Sequence, residues 1–202
     1  MAIITGETTY FTSRRMWSAY PLAIQLLRKN GIMDEVCLYG LFHYLPGVAY
    51  VVERKEGRLK FFLLGVRSEQ LAGTHTGMVS VPAGLLEPGE NIVGARELLE
   101  ETGIEIGKAT YTIAARNPDA PNTTFIHRVS TSQKNIKETY EAKGKTFIWV
   151  KGEILANTII ARNTTPLARE FRRQGIKVSN SLQIAPDILQ ALSFLCGKGM
   201  IW

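Results

Sequence analysis

Apolar and polar residues alternate in short runs through the middle of the chain. Gly47 to Glu53 and Leu59 to Val66 are two such runs, rich in β-branched and aromatic residues. With the polar stretch Arg54 to Arg58 between them, they predict a β-hairpin. Met78 to Pro82, Lys108 to Ala115, Phe125 to Thr131 and Phe147 to Val150 predict further short strands, and Gly6 to Phe11 one more. The period changes to that of a helix in Tyr20 to Lys29, which Asn30-Gly31 closes, and again in Pro166 to Gln174 and Ala185 to Cys196, where Pro186 suits the first turn. The turn cluster NPDAPN at 117–122 and the polar stretches Ser68 to Gly77 and Ser132 to Lys145 read as loops. Strands interleaved with helices predict an α+β fold, an α/β/α sandwich with a mixed sheet between helices. No internal repeat or linker divides the chain, so 1–202 is expected to be one domain, with residues 1–35 as an N-terminal extension.

The stretch Val81 to Ile104 combines two different patterns. Pro82, Gly84, Pro88 and Gly89 make PAGLLEPGE a turn-rich loop. Asn91 to Thr102 then reads as a helix, with Asn91 as N-cap and Gly103 just past its end. Positions four apart share a helix face, so Glu97 and Glu101 lie together, with Glu100 beside them. Ile92, Ala95, Leu98 and Leu99 supply an apolar side. Carboxylates about 4 Å apart repel by about 4 kcal/mol per pair at an effective dielectric near 20. A hard divalent cation removes that cost, and Mg²⁺ commonly takes one or two carboxylates together with phosphate oxygens. The plainer alternative is a solvated acidic face with an Arg96–Glu100 surface pair.

The two halves together resemble the Nudix box of Nudix hydrolases, G-x5-E-x7-R-E-U-x-E-E-x-G-U with U apolar. Gly84, Glu90, Arg96, Glu97, Leu98, Glu100, Glu101, Gly103 and Ile104 match its letters. Five residues separate Glu90 from Arg96 where the family has seven. Two residues are about 200° of helix, so the shortening must be absorbed before the helix begins. The resemblance implies metal-assisted hydrolysis of a phosphoanhydride, with Mg²⁺ or Mn²⁺ held by Glu97 and Glu101, completed by Glu100 and by the carbonyl of Ala83 or Gly84. It implies Arg96 as the brace of the helix against the loop and Arg67, at a strand end, as a substrate contact. A base outside the box is implied in the loop Ser132 to Lys145, where Glu138 and Glu141 are the candidates, with Glu100 as the alternative. PAG-x4-GE with a long N-terminal extension is similar to the ADP-ribose and nucleoside-diphosphate-sugar pyrophosphatase branch, in which a Pro often follows the box at the distance of Pro118 or Pro121. The competing reading is an inactive Nudix fold that senses a nucleotide or binds a partner.

Charge and composition narrow the remaining classes. The net charge of +6 suits an anionic small molecule. The basic residues are scattered, with a mild cluster at Arg169, Arg172 and Arg173, so no nucleic-acid face is expected. Tyr10, Phe11, Trp17 and Tyr20 leave three roles open: stacking on a base, a homodimer interface, or simple packing. Cys37 and Cys196 are isolated in apolar settings and read as buried free thiols in a reducing compartment. No run has the length of a membrane span. MWSAYPLAIQLL after Arg14-Arg15 is short, contains Pro21 and lacks a cleavage site, so the expected location is the cytoplasm.

Overall fold

The structure, a computed structural model, describes residues 3–4, 47–67, 77–85, 95–106, 109–116, 123–137 and 145–202. Its strands are β1 (Ile3–Ile4), β2 (Gly47–Glu56), β3 (Leu59–Arg67), β4 (Val79–Ser80), β5 (Ala83–Leu85), β6 (Ala109–Arg116), β7 (Thr123–Thr131) and β8 (Lys145–Lys151). The helices are α1 (Arg96–Thr102), α2 (Gly152–Ala161), α3 (Thr165–Arg173) and α4 (Pro186–Gly197). The α+β class and the mixed sheet agree with the sequence. The strands and helices expected at Gly6 to Phe11 and Tyr20 to Lys29, and the turn at 117–122, lie outside the described residues.

The sheet runs β1-β6-β7-β2-β3-β4, with β5 added to β2 and β8 to β3. All pairs are antiparallel except β2 with β7, which are parallel over Gly47–Arg54. The β2–β3 hairpin is zipped only near its turn, from Glu53↔Phe62 to Glu56↔Leu59. Beyond that the two strands part, and the segment 79–85 wedges between them. Its first half pairs with β3 (Gly65↔Ser80, Val66↔Val79). Its second half pairs with β2 (Val48↔Gly84, Ala49↔Ala83), and the Tyr50 N–H donates to the Pro82 carbonyl at 2.9 Å between them. PAGL therefore begins as a strand, not the loop its glycine and proline content suggests. The sheet edge supplies hydrogen bonds that outweigh the local turn preference.

Strand alternation gives the sheet two buried faces. On one, Ala49, Val51, Phe62, Leu64, Ile126 and Val150 meet α2, α3 and α4 through Leu155, Phe171, Leu192 and Leu195. On the other, Val48, Tyr50, Val52, Leu63 and Val129 close on Leu98 and Ile104 at α1. Leu98 is fully buried and contributes about 2 kcal/mol on that basis. Cys196 is a buried free thiol, and burial pushes it above the ordinary thiol range. Among the described residues, no helix is long and apolar enough to cross a membrane.

On α3, Glu170 accepts bonds from Arg173 (Nε 3.0 Å, Nη2 2.6 Å) and from Gln174 Nε2 at 2.7 Å. The Arg173 hydrogen bonds hold its carboxyl below the ordinary Glu range, against the opposing effect of burial. A depressed pKa stabilises the fold above the unfolded-state value and loses that contribution as pH falls through the folded value. Glu170→Gln is therefore expected to cost about 1 kcal/mol at pH 7, a screened ion pair's worth. The difference from wild type should shrink in urea melts as pH falls below the ordinary Glu pKa and vanish only below the lowered folded-state value. A pH-independent difference would rule the ion pair out as its source.

Candidate active site

The box helix is short and starts late. Ala95, not Asn91, is the N-cap, and no side chain caps the helix. Instead the Arg96 guanidinium ties its first turn to the wedge, Nη2 donating to the Leu85 carbonyl at 3.1 Å. The residues before Arg96 that would absorb the two-residue shortening, 86–94, lie outside the described residues. At the other end Gly103 has φ +66° and its N–H donates to Leu99 O at 2.8 Å, the left-handed stop glycine favours.

A helix turning 100° per residue that buries Leu98 also buries Glu101 and Thr102, three and four positions on. Leu99, expected on the apolar side, lies one step round and is exposed. Glu101 is thus a buried carboxylate facing the wedge. Its Oε2 accepts the Ala83 N–H at 3.1 Å. Its Oε1 is held by the Lys145 ammonium, which also donates to the Ala83 carbonyl at 3.1 Å. Glu97 lies against Gly84 so closely that a β-carbon on Gly84 would overlap its carboxylate. Arg96 holds Glu97 at 2.8 Å and Glu100 at 2.7 Å, so the plain Arg96–Glu100 pair is present as well. Burial raises both the Glu97 and the Glu101 carboxyl above the ordinary range, even though Arg96 and Lys145 respectively oppose it.

The candidate residues thus fall into three groups. Ala83, Gly84, Arg96, Glu97, Glu100 and Glu101 come together where the wedge meets α1. Arg67 ends β3 directly opposite Lys145 in the β3–β8 register. Glu90, Glu138, Glu141, Pro118 and Pro121 lie outside the described residues. The described residues flanking Glu138 and Glu141 are both tied to α1. The Lys137 N–H donates to Thr102 O at 3.0 Å, and Lys145 reaches Glu101. Gln133 reinforces the first tie through Gly103 O at 3.2 Å, and Trp149 Nε1 donates to Lys134 O at 2.8 Å.

Lys145 is the residue that sequence reading missed. The signal available was the alternation Lys145, Phe147, Trp149, which puts all three on the α1 face of β8. Among the described residues, no three His, Cys, Asp or Glu side chains converge into a metal cage. What converges is a set of oxygens on one ammonium, Glu101 Oε1 and the Ala83 carbonyl, with Glu97 on the same side of α1. Oxygen donors around a cation are the chemistry Mg²⁺ and Mn²⁺ require, so these residues fit such an ion.

The model of the NUDIX domain matches residues 43–166. No curated protein matches the chain. Among solved structures, the MutT protein from Methanosarcina mazei Go1 is 25% identical, covering 66% of this chain and 96% of that one, with a TM-score of 0.44. The NUDIX domain of Shewanella oneidensis NrtR, crystallised with ADP ribose, is 16% identical over 84% of this chain and 100% of that one, with a TM-score of 0.48. A C. elegans Ap4A hydrolase in a binary complex is 17% identical over 65% and 95%, with a TM-score of 0.41.

Proposed function

The chain belongs to the NUDIX domain family and is a Nudix hydrolase, and from that premise we propose a divalent-metal-dependent pyrophosphatase acting on a nucleoside diphosphate linked to a second moiety, of the ADP-ribose or nucleotide-sugar type. The observation that carries the reading is the half-buried Glu97 and the buried Glu101, both set by one helix against the Ala83–Gly84 backbone. Buried like charges are costly unless a cation or a function requires them.

Each residue has a distinct task in this reading. Glu97, Glu101 and the Ala83 carbonyl would hold Mg²⁺ or Mn²⁺, with Glu100 completing the set. When bound, the ion neutralises the diphosphate and polarises the scissile P–O bond. Arg96 restrains Glu97 and Glu100 and pins α1 to Leu85. Arg67 offers the substrate an anion contact from the end of β3. The proton of the attacking water goes to Glu138 or Glu141. Lys137 and Lys145, which bracket that segment, both bond to α1, and this favours the loop as the source of the base. Glu100 is the alternative acceptor. The substrate type rests on the likeness of the PAG-x4-GE segment and the N-terminal extension to that branch.

A panel of ADP-ribose, nucleotide sugars, nucleoside triphosphates and dinucleotides, assayed with Mg²⁺ by phosphatase-coupled phosphate release, tests the reading. The expected result is EDTA-sensitive cleavage, fastest for ADP-ribose or a nucleotide sugar. Binding without turnover across the panel would replace the hydrolase with the ligand-sensing alternative.

A further inference from the structure

We propose that Lys145 is a built-in counter-ion of the box: its ammonium holds the cation position between Glu101 and the Ala83 carbonyl, and a divalent metal displaces it when the site loads. The proposal deepens the metal-binding reading above and rests on it.

The geometry is specific. The Lys145 Nζ donates both to Glu101 Oε1 and to the Ala83 carbonyl. The second oxygen of the same carboxylate accepts the N–H of the same Ala83. The Ala83 carbonyl and the Glu101 carboxylate therefore grip a single positive charge, and the Ala83 N–H holds the carboxylate in place. The ammonium is a compact point charge on a flexible stem, and its oxygens are those a divalent ion would take at this end of the site. Two cations at hydrogen-bond distance from one carboxylate oxygen and one carbonyl repel strongly, so the ammonium and the metal are alternatives.

Strand pairing holds the Lys145 backbone, and the ammonium sits at the end of a flexible four-carbon stem. Antiparallel pairing sets the residue opposite Arg67, and Phe147 and Trp149 pack on the α1 face behind it. Like charges directly across a strand pair destabilise it. Glu101, with a side chain 6% exposed against 17% for Lys145, offsets that repulsion. Without metal, Lys145 keeps a buried carboxylate paired and the site in shape. The consequence is a higher metal concentration needed for loading, because only the fraction of molecules with the lysine withdrawn can bind.

Mn²⁺ titration followed by electron paramagnetic resonance of the free ion tests this without reference to turnover. Lys145→Met is expected to bind Mn²⁺ about tenfold tighter than wild type, the gain from removing a competitor that occupies about nine molecules in ten. Glu101→Gln is the control and should lose binding. A measurement on the wild-type protein covers failure of the variant to fold. Acetylation of Lys145 by acetic anhydride, read by peptide mass spectrometry, should rise severalfold at saturating Mn²⁺ while exposed Lys177 does not change. Unchanged or weaker Mn²⁺ binding by Lys145→Met, or a Lys145 that stays protected at saturation, overturns the role of the lysine and leaves the metal reading standing. Mn²⁺ binding that is absent from wild type, or indifferent to Glu101→Gln, overturns both.

Discussion

Glu101→Gln is expected to lower the rate of metal-dependent hydrolysis by at least about 100-fold, the scale on which losing a group that holds a metal is felt. Glu97→Gln should do the same. The amide keeps the shape of the carboxylate, so the Ala83 N–H still has an acceptor, but the charge is gone. Stability should not follow activity. Burial pushes both carboxyls up against the pull of Arg96 and Lys145, so the metal-free fold bears a cost for each ionised form. Removing that charge relieves a cost while leaving one cation less well paired, and the two effects oppose each other. Melting temperatures of the metal-free variants at pH 7 should therefore lie close to wild type while rates collapse. Steady-state rates with Mg²⁺ alongside thermal melts separate the cases. A variant that keeps wild-type turnover removes its glutamate from the chemistry, and one that is inactive only because it is unfolded shows the box to be structural.

How far the site could be read from the residues differs from one element to the next. The i, i+4 spacing of Glu97 and Glu101 and the glycine stop at Gly103 are local and have their predicted form; the hairpin from Gly47 to Val66 is present, but its turn is only Gly57-Arg58, because Arg54, Lys55 and Glu56, expected in the turn, pair with β3. The errors come where tertiary pairing overrides local preference. Ala83–Leu85 has the composition of a turn but gains strand hydrogen bonds to β2 because the hairpin splays open there, which no pattern within PAGL reveals. The helix α2 does not stand out in the sequence because its outward side is only partly polar: Glu153 and Asn157 are exposed, but so is Ile160, at 63%, and that blurs the apolar period. Lys145 carries no motif. Its place opposite Arg67 and beside Glu101 depends on the β3–β8 register, a contact between segments far apart in the chain. The box letters point to Glu97, Glu100 and Glu101, and only the assembled sheet shows that a lysine holds one of them.

Gly84→Ala is expected to cost about 100-fold in activity while leaving the fold intact, and the reason lies in what the added methyl meets. A β-carbon at position 84 would overlap the carboxyl group of Glu97, at its Cδ and both oxygens. That obstacle is the free end of a flexible side chain, so the protein can yield by moving Glu97. The backbone of Gly84 is not left-handed, and its pairing with Val48 in the β2–β5 ladder suits any residue. Gly103 is the contrast: its φ of +66° makes alanine there unfavourable by about 1 kcal/mol or more, whatever the space. At Gly84 the damage is to position. A shift of about 1 Å in a reacting or ligating group is enough to lose about 100-fold in rate, and a carboxylate pushed off the wedge can no longer converge with Glu101. Weaker Mn²⁺ binding and slow turnover at an unchanged melting temperature is the expected combination. Full activity in Gly84→Ala would mean that Glu97 works from somewhere other than its place against the wedge, and the two-carboxylate site drawn here would have to be rebuilt around Glu101 alone.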